Sequence, residues 1–385
     1  MSCVAASGSE VARGAAAAAT PPRLLPIDAL RGIAALLVVC LHVTQFFHAQ
    51  RAALPALSGQ WLAVLAQDFD FGRIGVMLFF LISGYVIPDS IRLDRPAPLA
   101  TFAIRRVLRI YPAYWVSIPL GAWAMWWLWE RPFGWGALLA NLSLLQDLLG
   151  VPAAIGVYWT LLIELGFYLL CIVLALRHSL HDTRRLAWLA AVFAALHTLG
   201  AFGAWLGVPL KLALVFLPLY LSYMLCGALL RQVDDGAAIA PAPRRVLQAL
   251  IVFYLTLFPL AAIWAIGPFN NYVVCGGIAL ALFLLGTRVM PLRARVLVWL
   301  GRISYSLYLF HAPLTMLVLW WVLQQPTGSA WRGGHMLAYL ALCGGLAIGV
   351  AAVVERWIER PGIALGRRLA WAWQARTVPA AARVA

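Results

Sequence analysis

Charge is what this sequence has least of. Only 11% of its 385 residues are charged, against 64% hydrophobic, and that balance excludes an ordinary water-soluble globule. Lysine is nearly missing: of the 29 basic residues all but Lys211 are arginine. The arginines lie between apolar runs rather than in one patch, so the formal net charge of +15 reads as a set of topology signals and not as a nucleic-acid footprint. Cysteine is also scarce, and the six present (Cys3, Cys40, Cys171, Cys226, Cys275 and Cys343) show no Cys-x-x-Cys spacing. Five of them sit inside apolar runs, where a thiol behaves as a small hydrophobe. Neither a disulfide framework nor a metal site is expected, since His178 and His181, with only Asp182 beside them, make too thin a ligand set and read as solvated.

What the sequence does have is long apolar runs. Stretches able to cross a hydrocarbon layer of about 30 Å recur ten times, at roughly 29–48, 73–90, 110–130, 157–177, 186–207, 212–230, 247–266, 271–288, 298–323 and 335–356. The expected fold is an all-α, polytopic transmembrane helix bundle of about ten spans with both termini cytoplasmic. Residues 1–22, Ala-rich and ending in Pro-Pro, read as a disordered cytoplasmic tail, 23–358 as the transmembrane domain, and 359–385, too short for a core of its own, as a basic cytoplasmic tail. The run 133–149 is apolar but short and carries Asn141 and Asp147; it reads as a re-entrant or interfacial segment, with an eleventh span as the alternative. Counting arginines tests this topology. With both termini inside, 24 basic residues fall on the inner side and only Arg51, Arg73, Arg131, Lys211 and Arg332 on the outer, the bias expected of a multi-pass protein of the cell inner membrane.

Against that background a histidine in the first span stands out. Asp28, Arg31 and His42 recur at near-whole turns, so they share one helix face, and His42 lies about 16 Å deeper than Arg31. An ionisable group at that depth is a candidate functional residue unless it pairs inside the bundle; the plain alternative is a neutral histidine bonded to a neighbouring helix's carbonyl. Glu164 falls about 9 Å past Tyr158 in the fourth span, and a lone carboxylate there must be protonated or paired. Arg105, Arg106 and Arg109 form a basic face at the inner end of the third span, a candidate phosphate cradle or a positive-inside anchor. Ser83 and Tyr85 flank Gly84 in the second span, offering hydroxyls to a ligand arm or a close helix contact. His311, in the ninth span, reads as a packed bundle histidine before it reads as a second base, with Pro313 freeing a carbonyl for it.

Six stretches also carry a resemblance: PIDALRGIAALLVVCLHV at the first span, LFFLISGYVI (78–87), IRRVLRIYPAYW (104–115), YWTLLIELGFYL (158–169), ISYSLYLFHAPL (303–314) and ERPGIALGRRL (359–369). Their order and spacing resemble the acyltransferase type 3 family of integral membrane O-acyltransferases, over roughly residues 24–368. The resemblance implies transfer of an acyl group, commonly acetyl, from cytoplasmic acyl-CoA to a hydroxyl of a carbohydrate or lipid-linked glycan at or near the outer face. Acyl-CoA is then a donor substrate rather than a resident cofactor. The family's arginine, ten residues, histidine pattern maps onto Arg31 and His42. One departure is that Glu164 is followed by Leu165 and Gly166 where the family often has a second acidic residue or Gln. The chemistry fits the depths: a neutral His42 able to take the hydroxyl proton sits where a cytoplasmic thioester and an outer-face acceptor would meet, with Asp28 orienting Arg31. A transient acyl-histidine serves the same topology. The expected partners are acyl-CoA, the glycan acceptor and membrane lipids; with no second domain visible, the transfer is completed either within the membrane domain or by a separate periplasmic acyl-transfer partner. The rival reading is a proton-coupled transporter or flippase, and succinyl is the alternative acyl group.

Overall fold

The computed structural model describes residues 24–209, 211–236, 240–257 and 270–377. The 1–22 tail and much of the seventh run lie outside them. The described residues are helical, with one isolated β-bridge, Ser58 to His335. The helices are α1 (Leu25–Ala49), α2 (Trp61–Asp68), α3 (Phe71–Val86), α4 (Pro98–Met125), α5 (Trp135–Asn141), α6 (Trp159–Leu176), α7 (Thr183–Trp205), α8 (Leu212–Asp234), α9 (Pro241–Val252), α10 (Asn270–Leu284), α11 (Arg295–Leu323), α12 (Met336–Val354) and α13 (Arg360–Thr377). Among the described residues seven helices are long and apolar enough to cross a membrane. The third predicted run lies mostly on α4, 28 residues long and less apolar than those seven; the described residues cut the seventh run short, and the eighth forms α10 and a π-helical turn, Leu285–Val289. The protein is an all-α, multi-pass membrane bundle.

Close packing at glycine sets the bundle's centre. A Cβ on Gly301 of α11 would stand 1.7 Å from the carbonyl oxygen of Asp28, and one on Gly32 of α1 would stand 2.4 Å from that of Leu297. Only glycine lets these two backbones meet. The two helices run parallel, with Asp28 beside Gly301 and His42 beside His311, as the first and ninth of ten alternating crossings would. Small residues do the same work between α3 and α8, where Gly84 meets Met224 and Gly227 meets Leu81.

The apolar run at 133–149 does not continue as a spanning helix. It forms the short α5 and a turn folded along the flank of α4. Irregular backbone against a membrane-spanning helix needs partners for its polar groups, and α4 supplies them: Tyr111 donates to the carbonyl of Ser143 at 3.0 Å, Tyr114 to that of Asn141 at 2.5 Å and Trp115 to that of Leu142 at 3.1 Å. Buried Asn141 closes the loop, its amide donating to the carbonyls of Ala137 and Pro152 while its oxygen accepts from the Ala154 N–H.

The segment read as a basic tail at 359–385 is instead helical as far as Thr377, continuing α12 through a π-helical turn, Glu355–Glu359, and packing along α4. Pro112 has no N–H for the carbonyl of Leu108, and Gly362 rests against that freed oxygen, with Gly366 beside Arg105 one turn on. The apolar seam of small residues, not the charge of the segment, is what seats it.

Candidate functional site

Two cavities meet between α1, α3, α4, α6 and α11. The upper one, about 150 Å³, runs along α3 from Ile87 to Val76 and is walled by Arg31, Arg106, Arg109, Glu164, Tyr168, Ser83, Tyr305, Thr160 and Tyr308 among apolar side chains. The lower one, about 420 Å³, is polar: Asp28, Arg31, Arg109, Arg302, Glu355, Glu359 and Arg360 line it. Arg31 and Arg109 belong to both. These two guanidinium groups therefore form the throat between a polar vestibule and a mostly apolar channel. Neither makes a hydrogen bond or ion pair with a described residue, although Asp28, Glu359 and Glu164 lie within electrostatic range of Arg31.

Arg106 is held differently. Its guanidinium stacks between the rings of Phe102 and Tyr168, at 5.3 and 5.2 Å from their centroids, and donates to Ser90 Oγ at 2.7 Å. Tyr168 in turn donates to Glu164 Oε1 at 2.7 Å, which supplies the partner a carboxylate at that depth requires. The result is a fixed guanidinium and a fixed carboxyl group on adjoining walls of one channel.

The expected groups are partly redistributed. Asp28, Arg31, Glu164, Arg106, Arg109 and Ser83 reach the two cavities. Arg105 does not: it turns toward Arg95 and Arg367, and its buried Nε has no hydrogen-bond partner. A spacing of four residues placed it with Arg109, but the channel takes the adjacent stripe of the helix. Tyr85 also points away, donating to Asp234 on α8 at 3.0 Å under the guanidinium of Arg231. Ser83 and Tyr85 are two residues apart and so face different sides of α3.

His42 lies beyond the upper end of the channel and walls neither cavity. Phe79 and Tyr308 close that end with their rings 5.9 Å apart, Tyr308 stands 6.0 Å from the ring of His311, and His311 stands 5.0 Å from that of His42. Tyr308 is pinned by Thr160 at 2.8 Å and by the Val157 carbonyl at 3.2 Å. His311, read as a packing residue, is fully buried, and its Nε2 lies 3.2 Å from Nδ1 of His42. Its Nδ1 faces the carbonyl of Leu307 on its own helix at 3.2 Å, rather than the carbonyl of Leu309 that Pro313 frees.

Sequence reasoning missed Glu359 as well. It is buried and accepts from Ser306 at 2.9 Å, while Arg360 pairs with Glu355 at 2.7 Å. The π-helical turn places both glutamates on the vestibule wall. The ERPG motif opening the last quoted stretch was the signal available for Glu359; Glu355 lies outside it.

A family model described as an acyltransferase domain matches residues 25–356. A protein of Komagataeibacter xylinus named as a membrane-bound transacylase, BcsY, is 28% identical over 303 residues, 74% of this chain and 72% of its own. The acyltransferase MdmB of Streptomyces mycarofaciens is 32% identical over 188 residues, 46% of each chain, and nodulation protein 10 of Rhizobium leguminosarum bv. viciae is 37% identical over 91 residues, 24% of this chain and 22% of its own. No solved structure matches. A family match spanning nearly all of the helical bundle, throat and histidine pair included, places the chain in the acyltransferase family, and it is a multi-pass membrane acyltransferase.

Proposed function

We propose that the protein transfers a short acyl group, most simply acetyl, from cytoplasmic acyl-CoA to a hydroxyl of a cell-envelope or exported carbohydrate, at the cell inner membrane. The observation that carries this reading is the throat: Arg31 and Arg109, without an ion pair or hydrogen bond among the described residues, between a polar vestibule and a mostly apolar channel that ends beside a histidine pair. Such guanidinium groups at the mouth of a narrow channel suit the phosphates of a donor whose uncharged arm continues inward. The arginine bias that orients the bundle puts this vestibule on the cytoplasmic side.

In this reading His42 is the base. Its Nε2 takes the proton of the acceptor hydroxyl as that oxygen attacks the thioester carbonyl. The C–S bond breaks, and the imidazolium returns the proton to the departing thiolate, so that an ester and free CoA thiol leave the site. Asp28 and Glu359 balance the charge of Arg31, and Glu164 with Tyr168 lines the arm's path. His42 lies seven residues, about 10 Å, from the outer end of α1, which suits an acceptor arriving from that side. A separate periplasmic protein accepting the acyl group fits the same geometry.

Reconstituted protein in sealed vesicles tests the proposal. Given acetyl-CoA on the vestibule side and envelope glycan on the other, it should release free thiol in step with acetyl gained by the glycan, read by mass spectrometry. Glycan or proton flux without thiol release would overturn it in favour of a transporter, and release with succinyl-CoA alone would change the acyl group.

A further inference from the structure

The two histidines raise a question of protons that the carbonyls around them answer. His311 Nδ1 lies 3.2 Å from the carbonyl oxygen of Leu307, and His42 Nδ1 lies 3.0 Å from that of Val38. A carbonyl oxygen only accepts. Each Nδ1 must therefore carry its ring's hydrogen, since a bare nitrogen would set two lone pairs face to face. A neutral imidazole has one N–H, so His311 Nε2 is an acceptor, and the atom 3.2 Å from it is the N–H of His42. The opposite arrangement, with His311 donating from Nε2, would leave both Nδ1 atoms bare and facing carbonyl oxygens. One consistent arrangement remains: His42 shares its Nδ1–H between Val38 and His311, and its Nε2 keeps an open lone pair. No described residue hydrogen-bonds that nitrogen.

We propose that His311 is a positioning residue for the transfer, which with the Val38 carbonyl holds His42 in its Nδ1–H form and turns the bare Nε2 toward the substrates. The assignment rests on the reading of His42 as the base. His311 suits the role because it cannot move. It is fully buried on α11, the helix that the glycine crossing ten residues earlier locks to α1, and Thr315 donates to the His311 carbonyl at 2.7 Å. When Nε2 takes the acceptor's proton, the Nδ1–H bond to His311 becomes charge-assisted and strengthens as the reaction needs it.

Nitrogen-15 NMR of the reconstituted protein, labelled at histidine ring nitrogens and assigned with His42→Gln and His311→Gln, reads the two tautomers directly. Both rings should be protonated at Nδ1 and bare at Nε2; Nε2–H on either ring would overturn the proposal whatever the activity. Kinetics supply the second arm. His311→Gln, whose side-chain oxygen can take the place of Nε2, should keep most of kcat. His311→Phe, which fills the volume without an acceptor, should lose about ten- to a hundredfold in kcat, the worth of one hydrogen bond to a charged group, with KM for the donor unchanged. Activity that follows side-chain volume instead, Phe near wild type and Gln impaired, would also overturn it. Should His42→Gln prove active while the tautomers stand as stated, the base reading fails and the positioning geometry survives, so the two failures are distinguishable.

Discussion

Arg105, Arg106 and Arg109 carry the same charge and differ in direction. Arg109 stands at the throat within electrostatic range of Glu359 and without an ion pair among the described residues, and Arg106 is clamped between two rings on the channel wall, whereas Arg105 faces α13. A guanidinium bonded to phosphate contributes roughly 1.5–3 kcal/mol per charged hydrogen bond. Replacing both throat arginines, Arg31 and Arg109, by Gln should therefore raise KM for acyl-CoA by about a hundredfold or more, and leave KM for a phosphate-free acyl thioester nearly unaffected. Arg105→Gln should leave both donors within about twofold. Steady-state kinetics with the two donors checks this, and an Arg105 variant as impaired as the pair would contradict the division. At this scale the sequence showed which residues are chemically unusual in a membrane, since depth alone singled out His42 and Glu164. It could not show which side of its helix each occupies. Arg105 and Tyr85 were misplaced because helical spacing relates residues to one another and not to a cavity, and His311 gained its partner through a contact 269 positions away in sequence.

Apolar length made the elements largely legible. The described parts of the ten predicted runs are helical, and 133–149, read as a re-entrant or interfacial segment rather than a span, is a short helix and turn folded against α4. The exception is α13, whose low hydropathy and arginines disguised a packed helix. Its seam was nevertheless visible as Gly362, Gly366 and Ala370, small residues four apart and all buried, the pattern by which membrane helices pack closely. Within the 133–149 segment the Asn141 side chain closes the loop. Asn141→Leu preserves volume but leaves two carbonyls and one N–H of that segment without partners, at about 1–3 kcal/mol for each group not rescued by water. The expected outcome is a fall in thermal stability of several degrees in detergent, with loss of turnover because the segment leads directly into Tyr158 and Thr160 at the channel's upper end. Unchanged stability would show that the segment is held by apolar contact alone.

Across the whole molecule, the parallel pairing of α1 with α11 ties the fold to its topology. It requires an even difference in span number between them, and the arginine bias then puts the α3–α4 connection inside and the α4–α5 connection outside. In a background without native cysteines, Glu130→Cys should react with a membrane-impermeant thiol reagent added to intact cells, and Asp94→Cys should react only after permeabilisation. The reverse pattern would invert the vestibule and exclude a cytoplasmic donor. The fold thus gives the paired cavities two unlike ends: polar and arginine-walled on one side, closed by aromatic rings and a histidine pair toward the other.

The central claim is that His42 accepts a proton during acyl transfer, and His42→Gln tests it most directly. Glutamine keeps much of the volume and can still hydrogen-bond to Val38 and His311, but it cannot take a proton at neutral pH. With purified, reconstituted protein, thiol release from acetyl-CoA in the presence of acceptor should fall by at least about 10²–10⁴-fold, while thermal stability and donor affinity stay at wild-type values. Turnover near wild type in the Gln variant would contradict the account and leave His42 a packing residue.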